Sequence, residues 1–406
     1  MPAGSPAQKA MDMQNSLAND LLAATRLTKA GQLTEATAAL QRLLAGRLAP
    51  GRTTLPHEPT TIDGAVESAE AVATKPAPLR RPVNPTSHGR FQLPGGGLGH
   101  LPSHRAPISI PDGATFLAAT FGNQAGSRPY KLYVPSSYHG QPVPLIVMLH
   151  GCTQSPDDFA AGTRMNAMAE AHSCVIAYPG QTSAANPQKC WNWFSEADQR
   201  RDGGEPSLIA GITRQVMRDY AIDPRRVYVA GLSAGGALAA LLGQAYPDLY
   251  AAIGVHSGLA CGAARDMPSA FAAMRNGSDG STPASAARGG SSPRIVPTIV
   301  FHGDQDTTVN PRNGEAVVAQ VARNAALKSL SEEGRVPGGH AYRRTRHVDA
   351  NGQTVIEQWL IHGAGHAWFG GSQAGSYTDP RGPDATAEML RFFLESQHPT
   401  GAQSPS

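Results

Sequence analysis

Five short runs constrain this chain more than any other feature: "VPLIVMLHG" (143–151), "CVIAYPG" (174–180), "RRVYVAG" (225–231), "YAAIGVHSG" (250–258) and "PTIVFHG" (297–303). Each is apolar at consecutive positions instead of alternating, the mark of a strand covered on both faces. Helical patterns lie between them: one opened by "SPDD" over about 155–172, one near 205–220, one from 234, one at 313–328, and a closing "DATAEMLRFFLES". Ahead of them, "ATFLAATFG" and "RPYKLYVP" read as a hairpin around "NQAGS", and two late strands end with "TVIEQWLI". Strands alternating with helices predict an α/β fold, a mostly parallel sheet with helices on both faces.

That pattern occupies residues 107–398 of the 406. Residues 16–46 place leucines and alanines at three-to-four spacing on either side of Ala30-Gly31, which predicts an N-terminal helical hairpin within 1–47. So short a pair is marginal unless its apolar faces are covered, so it either packs on the main domain or binds an apolar surface. Residues 48–106 are rich in Pro, Gly, Thr and Ser and read as a disordered linker. The low-complexity stretch 275–294 reads as a flexible insertion, and 399–406 as a tail.

Composition excludes several classes. The net charge of +3 is spread along the chain, with no basic block of the kind that binds nucleic acid beyond the short "PLRRP". No window of 18 apolar residues is present, which predicts a soluble chain without a transmembrane segment. The first residues lack a basic region followed by an apolar core, so no signal peptide is expected and a cytoplasmic location is favoured. Cys152, Cys174, Cys190 and Cys261 have no zinc-type spacing, so no metal is expected.

The strand "RRVYVAG" runs into "GLSAG" (231–235) and then an alanine- and leucine-rich helix. A G-x-S-x-G between a strand and a helix is a nucleophile elbow, which makes Ser233 the candidate nucleophile. A serine hydroxyl needs a base, and the base an orienting carboxylate. "FHGDQDTTVNP" offers Asp304 and Asp306, of which Asp306 is preferred as the acid and Asp304 reads as a turn residue, with His302 structural. "IHGAGHAWFGG" offers His362 and His366, of which His366, in the glycine-rich loop past the strand, is preferred as the base. The order Ser233, Asp306, His366 is that of an α/β-hydrolase. The backbone N–H groups of Cys152, in "LHGCTQ", and Ala234 are the candidate oxyanion donors, unless His150-Gly151 merely makes a turn. Trp191 and Trp193 of "KCWNWF", together with Trp368, are candidate substrate-binding walls, with ordinary packing as the alternative. Cys190 could pair with Cys152, which sequence alone does not settle.

Taken together and in this order, "LHGCTQ", "CWNWF", "GLSAGGA", "HGDQDTTVNP" and "GAGHAW" strongly resemble the polyhydroxybutyrate depolymerase family of esterases over about residues 108–396. The resemblance implies an α/β-hydrolase related to feruloyl and acetylxylan esterases that cleaves short hydroxyacid polyesters or related esters without metal or cofactor. It implies Ser233, Asp306 and His366 as triad, the "HGC" turn as part of the oxyanion hole, and a Cys152–Cys190 disulfide. Secreted members that attack crystalline polymer usually carry a signal peptide and a C-terminal binding domain. This chain looks more like the intracellular members that act on amorphous granules, with residues 16–46 expected to dock on the granule surface and an extracellular location kept as the alternative. Two other activities stay open: a feruloyl, acetylxylan or general carboxylesterase, with a peptidase less favoured, and a catalytically silent granule-binding protein.

Overall fold

The computed structural model describes residues 109–278, 294–323 and 325–398. The helical hairpin (16–46), the linker (48–106), residues 279–293 of the low-complexity stretch and the tail (399–406) lie outside the described residues.

The strands are β1 (Thr115–Asn123), β2 (Gly126–Val134), β3 (Val143–Leu149), β4 (Val175–Pro179), β5 (Ile222–Leu232), β6 (Ala252–His256), β7 (Thr298–Gly303), β8 (Lys328–Arg335), β9 (Ala341–Val348) and β10 (Thr354–Ile361). Among the described residues they form one ten-stranded sheet in the order β1-β2-β4-β3-β5-β6-β7-β10-β9-β8. The middle of the sheet, from β4 to β10, is parallel. Antiparallel strands flank it on either side, β1 and β2 on one and β9 and β8 on the other.

Consecutive side chains of a strand point to opposite faces, so an unbroken apolar run supplies two cores at once. Leu145, Val147 and Leu149 of β3, with Val227 and Val229 of β5, pack on α3 (Gly204–Asp219) and α4 (Ala234–Ala245). Ile146, Met148, Tyr228 and Ala230 face the other way, onto α1 (Pro156–Thr163), α2 (Met165–His172) and α7 (Ala385–Glu395). Two further helices, α5 (Met267–Asn276) and α6 (Arg312–Ala322), follow β6 and β7.

The structure departs from the sequence reading at four places. The single helix expected over 155–172 is two, separated by Arg164 in a left-handed conformation (φ 57°). Its guanidinium reaches Gly370 O at 2.8 Å and Asp384 at 3.0 Å, so tertiary bonds hold the break. The helix expected to reach 328 ends at Ala322, and Lys328 already begins β8. The main sheet takes three late strands among the described residues instead of two, because β8, exposed along nearly its whole length, has no apolar face to betray it, and a separate two-stranded ladder follows them. Residues 275 and 276, expected in the flexible insertion, complete α5 instead. Among the described residues no helix is long and apolar enough to cross a membrane.

Candidate active site

The three candidate triad residues leave the same end of the parallel strands. Ser233 follows β5, Asp306 follows β7, and His366 follows β10, which pairs directly with β7. At the elbow the two glycines are dictated by close approach. A Cβ on Gly231 would lie 2.3 Å from the Gly235 carbonyl carbon, and one on Gly235 would lie 2.1 Å from Leu149 O. Ser233 adopts φ 57°, ψ −119°, a conformation that costs a non-glycine residue about 1–3 kcal/mol. Two bonds hold it there, Ser233 N–H to His256 O (2.8 Å) and Ala237 N–H to Ser233 O (2.9 Å). The residue caps the N-terminus of α4, whose dipole favours negative charge at that point.

Asp306 and His366 are joined by a 2.7 Å hydrogen bond between Oδ2 and Nδ1. The other carboxylate oxygen accepts from Thr308 N (2.9 Å) and Val309 N (2.8 Å). His302 Nε2 donates to Val309 O at 2.8 Å and stands 3.4 Å from Asp306 Oδ2, which gives the structural role expected of His302 a concrete form. Burial works to raise the Asp306 pKa, but the bonds with His302 and His366 outweigh it, and the carboxyl is held well below the usual range. The residues weighed against this pair are bonded to each other: His362 Nδ1 meets Asp304 Oδ2 at 2.9 Å, and Gly363 N donates to Asp304 Oδ1 at 2.7 Å. Asp304 is therefore more than a turn residue.

The turn after β3 lies beside the serine, since a Cβ on Gly151 would stand 3.6 Å from Ser233 Cβ. Neither the Cys152 nor the Ala234 N–H donates to a backbone or side-chain acceptor among the described residues. His150 anchors the turn: its Nδ1 donates to Gly151 O (2.7 Å), its Nε2 accepts from Gln181 N (3.0 Å), and burial brings its pKa down to about 4. Cys152 and Cys190 are joined by a disulfide, with Cα atoms 4.2 Å apart, and Thr153 N donates to Gln188 O at 2.7 Å. The loop so tied is held below by buried Glu205, which accepts from Arg128, Gln181 and Asn192. Among the described residues, no three His, Cys, Asp or Glu side chains are grouped to hold a metal ion.

The tryptophans do not wall the site. Trp191 is fully buried with its indole N–H on His150 O (3.0 Å), Trp193 is buried in the core edge-on to Phe194, and Trp368 is buried with its N–H on Thr386 (2.9 Å). Each indole packs inward, which is the ordinary-packing alternative. Sequence reasoning missed His256. Buried at the end of β6, it accepts from Phe369 N (3.1 Å) through Nε2 and stacks between Phe301 and Trp368. Its carbonyl holds Ser233, so one residue ties the elbow to the segment that follows His366. Burial keeps the ring neutral, its pKa well below the usual value.

Residues 128–336 match the family model described as "Esterase PHB depolymerase". The chain belongs to this family. This esterase-family chain is 34% identical over 259 residues to poly(3-hydroxyalkanoate) depolymerase C of Paucimonas lemoignei, covering 61% of the chain and 60% of that protein. It is 29% identical over 264 residues to the poly(3-hydroxybutyrate) depolymerase of Ralstonia pickettii, covering 62% of the chain and 53% of that protein. It thus spans little more than half the length of these two relatives. Among solved structures it is similar to an acetyl xylan esterase from Aspergillus awamori, with a TM-score of 0.54 and 19% identity over 70% of this chain and 99% of that one. The fold is that of an α/β-hydrolase.

Proposed function

We propose that this protein is a carboxylic ester hydrolase that cleaves short-chain polyhydroxyalkanoate, or its oligomers, through an acyl-enzyme. The observation that carries the reading is the 2.7 Å bond between buried Asp306 and His366, at the ends of paired parallel strands, in a fold that presents Ser233 on a strained elbow. With Nδ1 engaged by Asp306, His366 Nε2 takes the Ser233 proton as Oγ bonds to the ester carbonyl carbon. The carbonyl oxygen becomes an oxyanion that accepts from the Cys152 and Ala234 amides. Collapse of the intermediate breaks the ester C–O bond, the proton passes from His366 to the leaving hydroxyl, and water repeats the sequence to release a 3-hydroxyacid or its oligomer.

The polyester assignment follows what the two depolymerase relatives are named for. Turbidity of amorphous polyhydroxybutyrate granules, followed beside p-nitrophenyl butyrate hydrolysis with wild type and Ser233→Ala, tests it. Clearing by wild type alone supports nucleophile and polyester together. Hydrolysis of the small ester without clearing moves the assignment to an acetylxylan-type esterase, the activity for which the solved structural neighbour is named. Neither activity overturns the enzymatic reading and favours a silent granule-binding protein.

Docking of residues 16–46 on a granule surface belongs to the same proposal and concerns residues outside those described. Deleting 1–50 should weaken co-sedimentation with granules and spare small-ester hydrolysis; equal loss of both contradicts it. For the compartment, the Cys152–Cys190 bond favours the oxidising, extracellular alternative over the cytoplasmic one, since persistent disulfides belong to oxidising surroundings. Thiol counting on protein from its native host, finding two free thiols or four, decides between them.

A further inference from the structure

With the three tryptophans packed inward, the described residues put none of the expected indoles at the site, and one exposed ring, that of Tyr377, stands beside the turn that carries Cys152. Tyr377 is 46% exposed and adopts φ 53°, a left-handed conformation that is uncommon for a bulky residue. The backbone on both sides fixes it there. Ser376 donates through its N–H to Asp158 Oδ1 (2.8 Å) and is gripped at its carbonyl and hydroxyl by Gln154 (3.1 and 3.2 Å). Thr378, on the other side, pairs with Trp368 in the two-stranded ladder of β11 (Trp368–Phe369) and β12 (Thr378–Asp379). Strain held by its surroundings at an exposed residue points to a working position.

Its contacts reach both sides of the candidate site. The Tyr377 hydroxyl lies 3.2 Å from Thr153 Oγ1, one residue past the oxyanion candidate Cys152, and Thr153 is itself left-handed (φ 65°). The Tyr377 carbonyl accepts from Trp368 N at 2.7 Å, two residues past His366. Gln154, which holds Ser376, also accepts from Gly151 N (2.8 Å), beside Ser233. One segment therefore bridges the oxyanion turn and the base loop, and it presents a solvent-facing aromatic ring at the bridge.

We propose that Tyr377 is the specificity-determining residue of this site, its ring being the apolar surface against which the alkyl part of the ester substrate lies. The proposal rests on the esterase reading above. An apolar contact of this kind discriminates by substrate length, because each methylene placed against it is worth about 10-fold or more in kcat/KM. A ring that merely staples the oxyanion turn through its hydroxyl would act alike on every ester.

The test measures kcat and KM on p-nitrophenyl acetate, butyrate and hexanoate for wild type, Tyr377→Phe, Tyr377→Asn, Tyr377→His and Ser233→Ala. Asn and His tolerate left-handed backbone, so both variants remove the phenol without adding strain. The readout is a ratio between esters within one preparation, which partial loss of folded protein leaves unchanged. Tyr377→Asn should lower kcat/KM about 10-fold or more on hexanoate and about 2-fold on acetate, mainly through KM. Tyr377→His should fall between it and wild type, and Tyr377→Phe should stay within about 2-fold throughout. An equal fall on all three esters, no change in Tyr377→Asn, or a Tyr377→Phe that matches Tyr377→Asn overturns the proposal. Full activity in Ser233→Ala would overturn the catalytic reading instead; a dead Ser233→Ala beside a length-independent Tyr377→Asn sinks the Tyr377 assignment alone.

Discussion

Two aspartate–histidine pairs leave the ends of β7 and β10, with bonds of 2.7 Å for Asp306–His366 and 2.9 Å for Asp304–His362. Length does not separate them; surroundings do. The side chains of Asp306 and His366 are 0% and 11% exposed, against 29% and 35% for Asp304 and His362. Asp306 is fixed by two backbone amides as well as by its histidine, and His302 stands behind it. Asp304 has one backbone amide besides His362, whose far nitrogen faces Glu333 at 3.8 Å across the surface. A carboxylate in low dielectric with every acceptor site engaged can orient an imidazole and stabilise its protonated form, whereas a solvated pair is screened. The contrast teaches that the two pairs are distinguished by burial and by competing donors more than by the bond itself.

The comparison breaks most readily at the histidines. His366→Gln should lower kcat/KM for p-nitrophenyl butyrate by about 10⁶-fold, as loss of a triad base does, with little change in melting temperature. Asp306→Asn should follow at about 10³- to 10⁴-fold, since the tautomer and orientation of His366 are lost while its ring remains. The third effect is on acid stability. Because the folded pKa of Asp306 lies below the ordinary value of about 4, its contribution is complete above that pH and is lost as pH falls through the folded pKa. Asp304 is shifted the same way, opposed by burial and lowered by His362 and Gly363, but on a more solvated group. Unfolding by denaturant measured between pH 2 and 6 should therefore flatten more in Asp306→Asn than in Asp304→Asn; the reverse order would contradict the assignment of the stronger environment to Asp306. Smallest of all, His362→Gln and Asp304→Asn should leave kcat/KM within about 3-fold of wild type. A loss comparable to that of His366→Gln would transfer the catalytic role to the outer pair.

Much of this arrangement was legible before any coordinates. The five apolar runs announce buried strands because they are short, rich in Val and Ile and bounded by Gly or Pro, and the elbow announces itself because a serine between two glycines joins a strand pattern to a helix pattern, where a Cβ on either glycine would stand under 3 Å from backbone. Loop position ranks Asp306 ahead of Asp304 and His366 ahead of His362 in the sequence, but the bond between Asp304 and His362 leaves no such mark, since it depends on strands that meet only in the sheet. The fate of Trp191 and Trp368 escaped for a similar reason. An aromatic residue in a loop reads as exposed, and only the folded loop, tied by Cys190 and Glu205, turns the Trp191 indole inward. Tyr377 and His256 carried no signal of spacing at all: one is set by a left-handed backbone and the other by packing among distant rings.

The strand β8 that sequence patterning overlooked has a use of its own. It is the last strand of the sheet among the described residues, and an edge left unpaired there would invite a second molecule to add strands to it. "KSLSEEGR" answers with Lys328, Glu332, Glu333 and Arg335, leaving Leu330 as its apolar side chain at 38% exposure. Charges along an edge discourage one copy from zipping onto the next. Copies held at high local concentration on any surface would meet at this edge, and its charges oppose their pairing.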